Sequence, residues 1–152
     1  MGKQWIYPGV YTFHVTKSAY FEERSEKITV VPPERGQTLD VTFDLTPTSA
    51  LVDKVLAAVK DRVSACAGVP TNMDDMCPAA VRNTDLAALS VATQPSGLAS
   101  LSADRFESEQ AEIVTQSNSH ASYTPPPRRT AFTLSGEISW QGGEPEISFD
   151  SQ

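Results

Sequence analysis

One segment of this chain repeats its apolar residues at helical spacing, and strand-like sequence flanks it on both sides. In "TPTSALVDKVLAAVKDRVSACAG", Val52, Val55, Leu56, Val59, Val63 and Cys66 fall on one stripe, with Asp53, Lys54, Lys60, Asp61 and Arg62 mostly opposite. Thr46 reads as the N-cap and Pro47 as the first helical residue, where a missing N–H costs nothing. Gly68 and Pro70 supply the stop. A lone helix with one apolar stripe has to bury it against another element, and the sheet-forming sequence that follows is the nearest surface.

Ahead of the helix, "VYTFHVTK" alternates after a Pro8-Gly9 turn, and "EKITVV" is a second β-branched run closed by Pro32-Pro33. "TLDVTFDL" sets Leu39, Val41, Phe43 and Leu45 against Thr38, Asp40, Thr42 and Asp44, a half-buried strand pattern. Three strands of this length make a small antiparallel unit that is not secure alone. Behind the helix, "CPAAVRN" fits one helical turn. Then "LAALSVAT", "GLASLSA", "QAEIVTQS", "RTAFTLSGEISW" and "EPEISFD" read as strands, the last two joined by "QGG". "SNSHASYTPPPRR" is a polar, Pro-rich interruption with the character of a mobile loop.

The expected fold class is therefore α+β. A small antiparallel β-unit spans 4–46, and one long helix packed on a curved antiparallel sheet spans 47–150. A chain of 152 residues accommodates one ordinary domain or two small ones.

The two cysteines, Cys66 and Cys77, lie eleven positions apart. A tetrahedral zinc site needs a second close Cys or His pair, and His14 and His120 are distant in sequence. The spacing is far wider than a C-x-x-C redox motif, and a catalytic thiol would need a histidine beside it. "VSAC" imitates an acylation box, but the residues before it are the charged "VKDR". A disulfide is the expected pairing, with two buried free thiols as the alternative. Closing a loop of this size stabilises a small domain by roughly 3 kcal/mol on the chain-entropy model. Such a bond persists outside the reducing cytosol, so the expected location is extracytoplasmic.

The remaining bulk properties agree with that location. Ser, Thr, Gln, Asn and Pro replace charge and hydrophobicity, which stand at 20% and 39%. A net charge of −7 disfavours nucleic acid and anionic lipid as partners. No run reaches the length of a membrane span, and strand-like sequence begins almost at Met1. The chain is accordingly expected to be a fragment of a longer protein.

"YPGVYTFHV", then "SALVDKVLAAVKDRVSACAG", then "MCP" resembles the extracytoplasmic region of membrane-anchored proteins of high-GC Gram-positive bacteria. In that family a P-G-x-Y β-unit precedes a helix ending in Cys, a Cys-Pro pair, and a sheet domain of the cystatin or NTF2 type. The closing "FTLSGEISWQGGEPEISF" fits the terminal hairpin of such domains. The first unit is also similar to PEGA-like and other β-sandwich modules. The resemblance implies a place, beyond the membrane on an upstream anchor outside this chain, and an architecture, and little about chemistry. "AAVRN" departs from the family after Cys77-Pro78, where an aromatic is usual.

Other candidates carry weaker signals. Asp74-Asp75 and Glu22-Glu23 are adjacent carboxylates, which diverge in loops or strands and read as surface solvation. The aromatics Trp5, Tyr7, Tyr11, Tyr20 and Phe21 could form a carbohydrate or peptide platform, but core filling and contact with the second unit is the stronger expectation. "YTPPPRR" reads as a stiff connector more than a polyproline ligand. No catalytic, metal or cofactor motif is legible. The expected function is non-enzymatic: binding or sensing a cell-wall or envelope component, or contacting a protein partner, with the concave face of the sheet, floored by the helix, as the pocket. An enzyme with a catalytic cavity in that cone, or a ligand-free spacer, are the alternatives.

Overall fold

A computed structural model describes residues 7–31, 44–68, 74–82, 85–120 and 122–152. The first element is an antiparallel hairpin of β1 (Gly9–Val15) and β2 (Arg24–Val30), with Gly9 opposite Val30 and Val15 opposite Arg24. Tyr11, Phe13, Val15, Ile28 and Val30 share its half-buried face. Val10, Thr12, His14, Ser25, Lys27 and Thr29 share the exposed one. The strand expected over "TLDVTFDL" lies outside the described residues as far as Phe43, while Asp44 and Leu45 are described and are not strand.

Helix α1 (Ser49–Cys66) starts later than the Thr46-Pro47 pair suggested. Those residues are held in extended pairing with the chain ahead of β2. Pro47 bridges Phe21, Glu22 donates its amide to the Thr46 carbonyl, and Thr48 donates to the Tyr20 carbonyl, the last two at 2.9 Å. Thr48 is the N-cap residue, and its hydroxyl donates to the Ala19 carbonyl at 2.7 Å instead of to the helix. The end of α1 is thus tied down by tertiary contacts, not by a side-chain cap. Its buried stripe is Leu51, Val55, Val59, Val63 and Cys66, each 0% exposed, with Val52 and Leu56 only half-buried. An every-fourth-residue row, inclined to the helix axis, meets the sheet.

After α1 a 3₁₀ turn, Ala79–Val81, matches the turn expected from "CPAAVRN". Seven strands follow: β3 (Leu86–Thr93), β4 (Leu98–Leu101), β5 (Arg105–Ser108), β6 (Ala111–Ser117), β7 (Arg128–Phe132), β8 (Ser135–Gln141) and β9 (Glu144–Phe149). They form a sheet in the order β3-β6-β7 and another in the order β4-β5-β8-β9. The pairings show that these are two halves of one bent meander. β3 and β4 pair successively with β6 and β5, and β5 and β6 pair successively with β8 and β7. The ladder continues across the bend: Glu109 donates to the Gly97 carbonyl at 3.0 Å and Ser108 to the Leu134 carbonyl at 2.8 Å.

The bend corrects two sequence readings. "RTAFTLSGEISW" is not one strand but β7 and β8, interrupted at Thr133-Leu134 so that the two parts serve different halves. "RFES" is strand β5, which went unread because Phe106 is its single apolar residue. "LAALSVAT" and "GLASLSA" are the two halves of one bent edge. The Gly142-Gly143 turn, with φ of 60° and 88°, joins β8 to β9 as a two-residue hairpin loop that needs glycine.

The core lies where α1 crosses the inner face of this bend. Leu51, Val55, Val59 and Val63 meet Phe106, Ile113, Leu134 and Ile138, and every one of these is 4% exposed or less. Each such burial is worth about 1.5–3 kcal/mol, far more than the helix gains from its own propensity. α+β architecture, with one helix on a bent antiparallel sheet, follows from this packing.

Candidate binding surfaces

Cys66 and Cys77 form a disulfide with a Cα–Cα distance of 5.5 Å, and both residues are fully buried. The bond ties the last residue of α1 to the segment leading into the 3₁₀ turn. It belongs to the core and offers no thiol chemistry at the surface.

The paired carboxylates diverge, as expected. Asp74 meets Arg62 at 2.9 Å, whereas Asp75 accepts from the Ser151 hydroxyl at 3.2 Å. Glu22 pairs with Lys17 at 3.0 Å, and Glu23 is exposed. His14 sits on the open face of the first hairpin, with Nδ1 at 2.7 Å from the Ser25 hydroxyl. His120 lies on the surface and is 69% exposed, 3.1 Å from Asp85. That contact, with a second from the Asn118 amide, holds the Asp85 carboxyl below its ordinary range. An acid–histidine pair is present, but it closes a loop onto the start of β3 and lines no cavity that the sheet encloses.

The segment "SNSHASYTPPPRR" is partly ordered by its own bonds. His120 and Tyr123 exchange backbone hydrogen bonds at 3.0 Å, and Ser119 bonds Thr124 at 2.8 Å. Arg128 and Arg129 belong to β7, with Arg129 paired to Glu112 at 2.5 Å. The tyrosine of this loop, Tyr123, is 63% exposed.

The aromatics of the first unit separate into two groups. Tyr20 and Phe21 stack on Trp140, with ring centroids 5.6 and 5.2 Å away, and so join the chain ahead of α1 to β8. The Trp140 indole N–H donates to the Ala103 carbonyl at 2.7 Å. Lys54 reaches across this cluster to Glu144 at 2.6 Å, and the Tyr20 hydroxyl donates to the same carboxylate at 2.7 Å. These hydrogen bonds raise the Lys54 pKa and lower that of Glu144. Tyr7, at 82% exposed, remains open to solvent, and Trp5 lies outside the described residues.

The concave face, expected from sequence as a pocket with the helix for its floor, is filled by the side chains of α1. Depressions occur instead on the rim. One, of about 340 Å³, lies between Asp44-Leu45 and the β4–β5 turn, Leu101 to Asp104. A larger one, of about 590 Å³, runs between α1 and β9, lined by Ala58, Arg62, Ala65, Met76, Ile147 and Phe149 with Asp61 and Ser148. Arg62 lines it from the helix side. The guanidinium lies 5.6 Å from the Phe149 ring centroid and donates to the Met76 sulfur at 2.8 Å.

The chain matches no family model, no curated protein and no solved structure. Function therefore rests on the geometry itself.

Sequence reading placed Arg62 on the polar side of the helix and missed its part in this groove. The available signal was its position beside Val59 and Val63, where a long stem covers apolar neighbours. Among the described residues, no group of three or more His, Cys, Asp or Glu is placed to hold a metal. No described helix is long and apolar enough to cross a membrane.

Proposed function

We propose that this chain is a non-enzymatic, extracytoplasmic domain of a cell-envelope protein, one that works by contacting a protein partner across its surface. On this reading an anchor outside the chain holds it beyond the membrane. The observation that carries the location is the Cys66–Cys77 bond, buried at the junction of helix and sheet. A structural disulfide of this kind belongs to oxidising surroundings. A helix across a bent antiparallel meander is also the arrangement expected of a cystatin- or NTF2-like domain, and it supports that assignment and the likeness to the high-GC Gram-positive family.

The filled interior supports interaction over catalysis. An enzyme on a cone-shaped sheet needs polar or titratable groups converging in a water-excluded space. Here apolar residues of α1 occupy that space, and Asp85 with His120 lies at the surface. The larger open groove, between α1 and β9, is lined mainly by apolar side chains and favours a macromolecular contact over a spacer role.

Location is tested in cells of a native or heterologous host that make the full-length protein. After acid quenching and alkylation, mass analysis is expected to show neither Cys66 nor Cys77 modified. Two alkyl groups on most of the protein would overturn the extracytoplasmic assignment.

A further inference from the structure

β9 ends its sheet, and among the described residues no strand pairs with its outer side. Ile138 donates its amide away from β9, to the Asp104 carbonyl at 2.8 Å, while Asp150 donates back to Ser135 at 2.9 Å. Along an antiparallel ladder those two bonds set the alternation. Glu144, Glu146 and Ser148 direct their backbone groups to β8, and Ile147 and Phe149 direct theirs to the open edge. Pro145 blunts the edge at its first residues, and the rest has no strand partner among the described residues.

The α1–β9 groove runs beside this edge. Ala58, Arg62 and Ala65 follow helical spacing along its far wall, so small residues stand on either side of the arginine. A strand laid on β9 would turn alternate side chains into the groove over these alanines. Its other side chains would lie on the solvent side next to Glu146, and Asp61 is exposed at the helix wall. Those carboxylates, in a chain of net charge −7, select a basic partner.

We infer that the β9 edge is a strand-addition site for an extended segment of a partner protein in which small apolar residues alternate with lysine or arginine. The inference rests on the reading of the chain as an interaction domain. Backbone bonds to Ile147 and Phe149 supply affinity, and the alternating pockets and charges supply selectivity.

The test uses the oxidised chain, ¹⁵N-labelled, and a short synthetic peptide alternating lysine and valine. Saturating peptide is expected to slow amide exchange at Ile147 and Phe149 by roughly tenfold or more, since exchange reports local opening. A glutamate–valine peptide is expected to bind roughly tenfold more weakly, because repulsion replaces attraction. Ala65→Leu, at an exposed position, is expected to abolish protection while leaving the melting temperature unchanged. Glu146→Lys is expected to reverse the peptide preference. Unprotected amides at saturation, or equal binding of the two peptides, would overturn the inference. So would a dimer that protects the same amides without peptide, since the occupant would then be a second copy. The thiol-trapping result is independent of all these outcomes, so failure here leaves the location intact and the reverse also holds.

Discussion

Gly136 lies directly beneath the ring of Phe106, its partner across the β5–β8 ladder. A methyl group on Gly136 would stand 2.8 Å from two carbons of that ring and would collide with the Ser148 carbonyl oxygen. The Phe106 ring is in turn fixed by edge-on contact with Phe149, with centroids 5.6 Å apart. Where the sheet is this tightly stacked, only hydrogen fits.

Gly136→Ala is therefore expected to destabilise by about 3 kcal/mol, the upper end of overpacking costs, because a backbone oxygen cannot rotate aside. Urea unfolding measures this. A loss under about 1 kcal/mol would show that β9 shifts freely away from β8.

Removing the disulfide by Cys66→Ala with Cys77→Ala is expected to cost roughly 2–4 kcal/mol, through lost constraint on the unfolded chain. Because both residues are fully buried, reductant should reach the bond only through structural opening, so that reduction runs far more slowly than exchange at an exposed disulfide. Reduction of the folded chain as fast as that of the urea-unfolded chain at the same dithiothreitol concentration would contradict that burial.

Trp140→Ala removes the ring that Tyr20 and Phe21 share, and the indole bond to Ala103. A loss of about 2 kcal/mol is expected, below the cost for a fully buried tryptophan because Trp140 is partly exposed. Tyr20→Phe keeps the stacking and loses the hydroxyl's bonds to Glu144 and Lys54, both at an exposed site, and is expected to change stability by under about 1 kcal/mol. Equal losses for the two variants would mean that polar contacts, and not the rings, hold this corner together.

Glu144→Gln tests the pH dependence. The Glu144 pKa is lowered from 4.5, mainly by the Lys54 hydrogen bond, so its contribution exists above that value and is lost as pH falls through the folded pKa. The Lys54 pKa is raised from 10.5, mainly by Glu144, so its contribution exists below that value and is lost as pH climbs past the folded pKa. The melting temperature of the variant should lie slightly and evenly below that of the parent between pH 4.5 and 10.5, and the two should converge outside that window. Both groups are solvent-exposed, so the difference is small and shrinks with added salt. A gap that persists in strong acid would assign the effect to something other than this pair.

Periodicity in the sequence was enough to place the helix, the first hairpin and most of the later strands, since side-chain alternation is a local property that burial on one side enforces. The spacing and surroundings of Cys66 and Cys77 were enough to expect their bond. The start of α1 was not legible, because residues 46–48 are captured by Phe21 and its neighbours, a contact between segments far apart in sequence. Strand β5 and the interruption at Thr133-Leu134 were illegible for a related reason: a bend is demanded by the helix that the sheet must wrap, not by the strand residues themselves.

The candidate site divides in the same way. Sequence by itself determined that one amphipathic helix would need a sheet to cover, and that two cysteines could staple them. Only the tertiary structure decided that the helix would fill the concavity, moving any binding surface to the rim. It also laid Arg62 over Phe149 beside an open strand edge. Packing density is the reason, because whether a concave sheet is hollow or filled depends on how facing side chains interdigitate, and no local pattern records it.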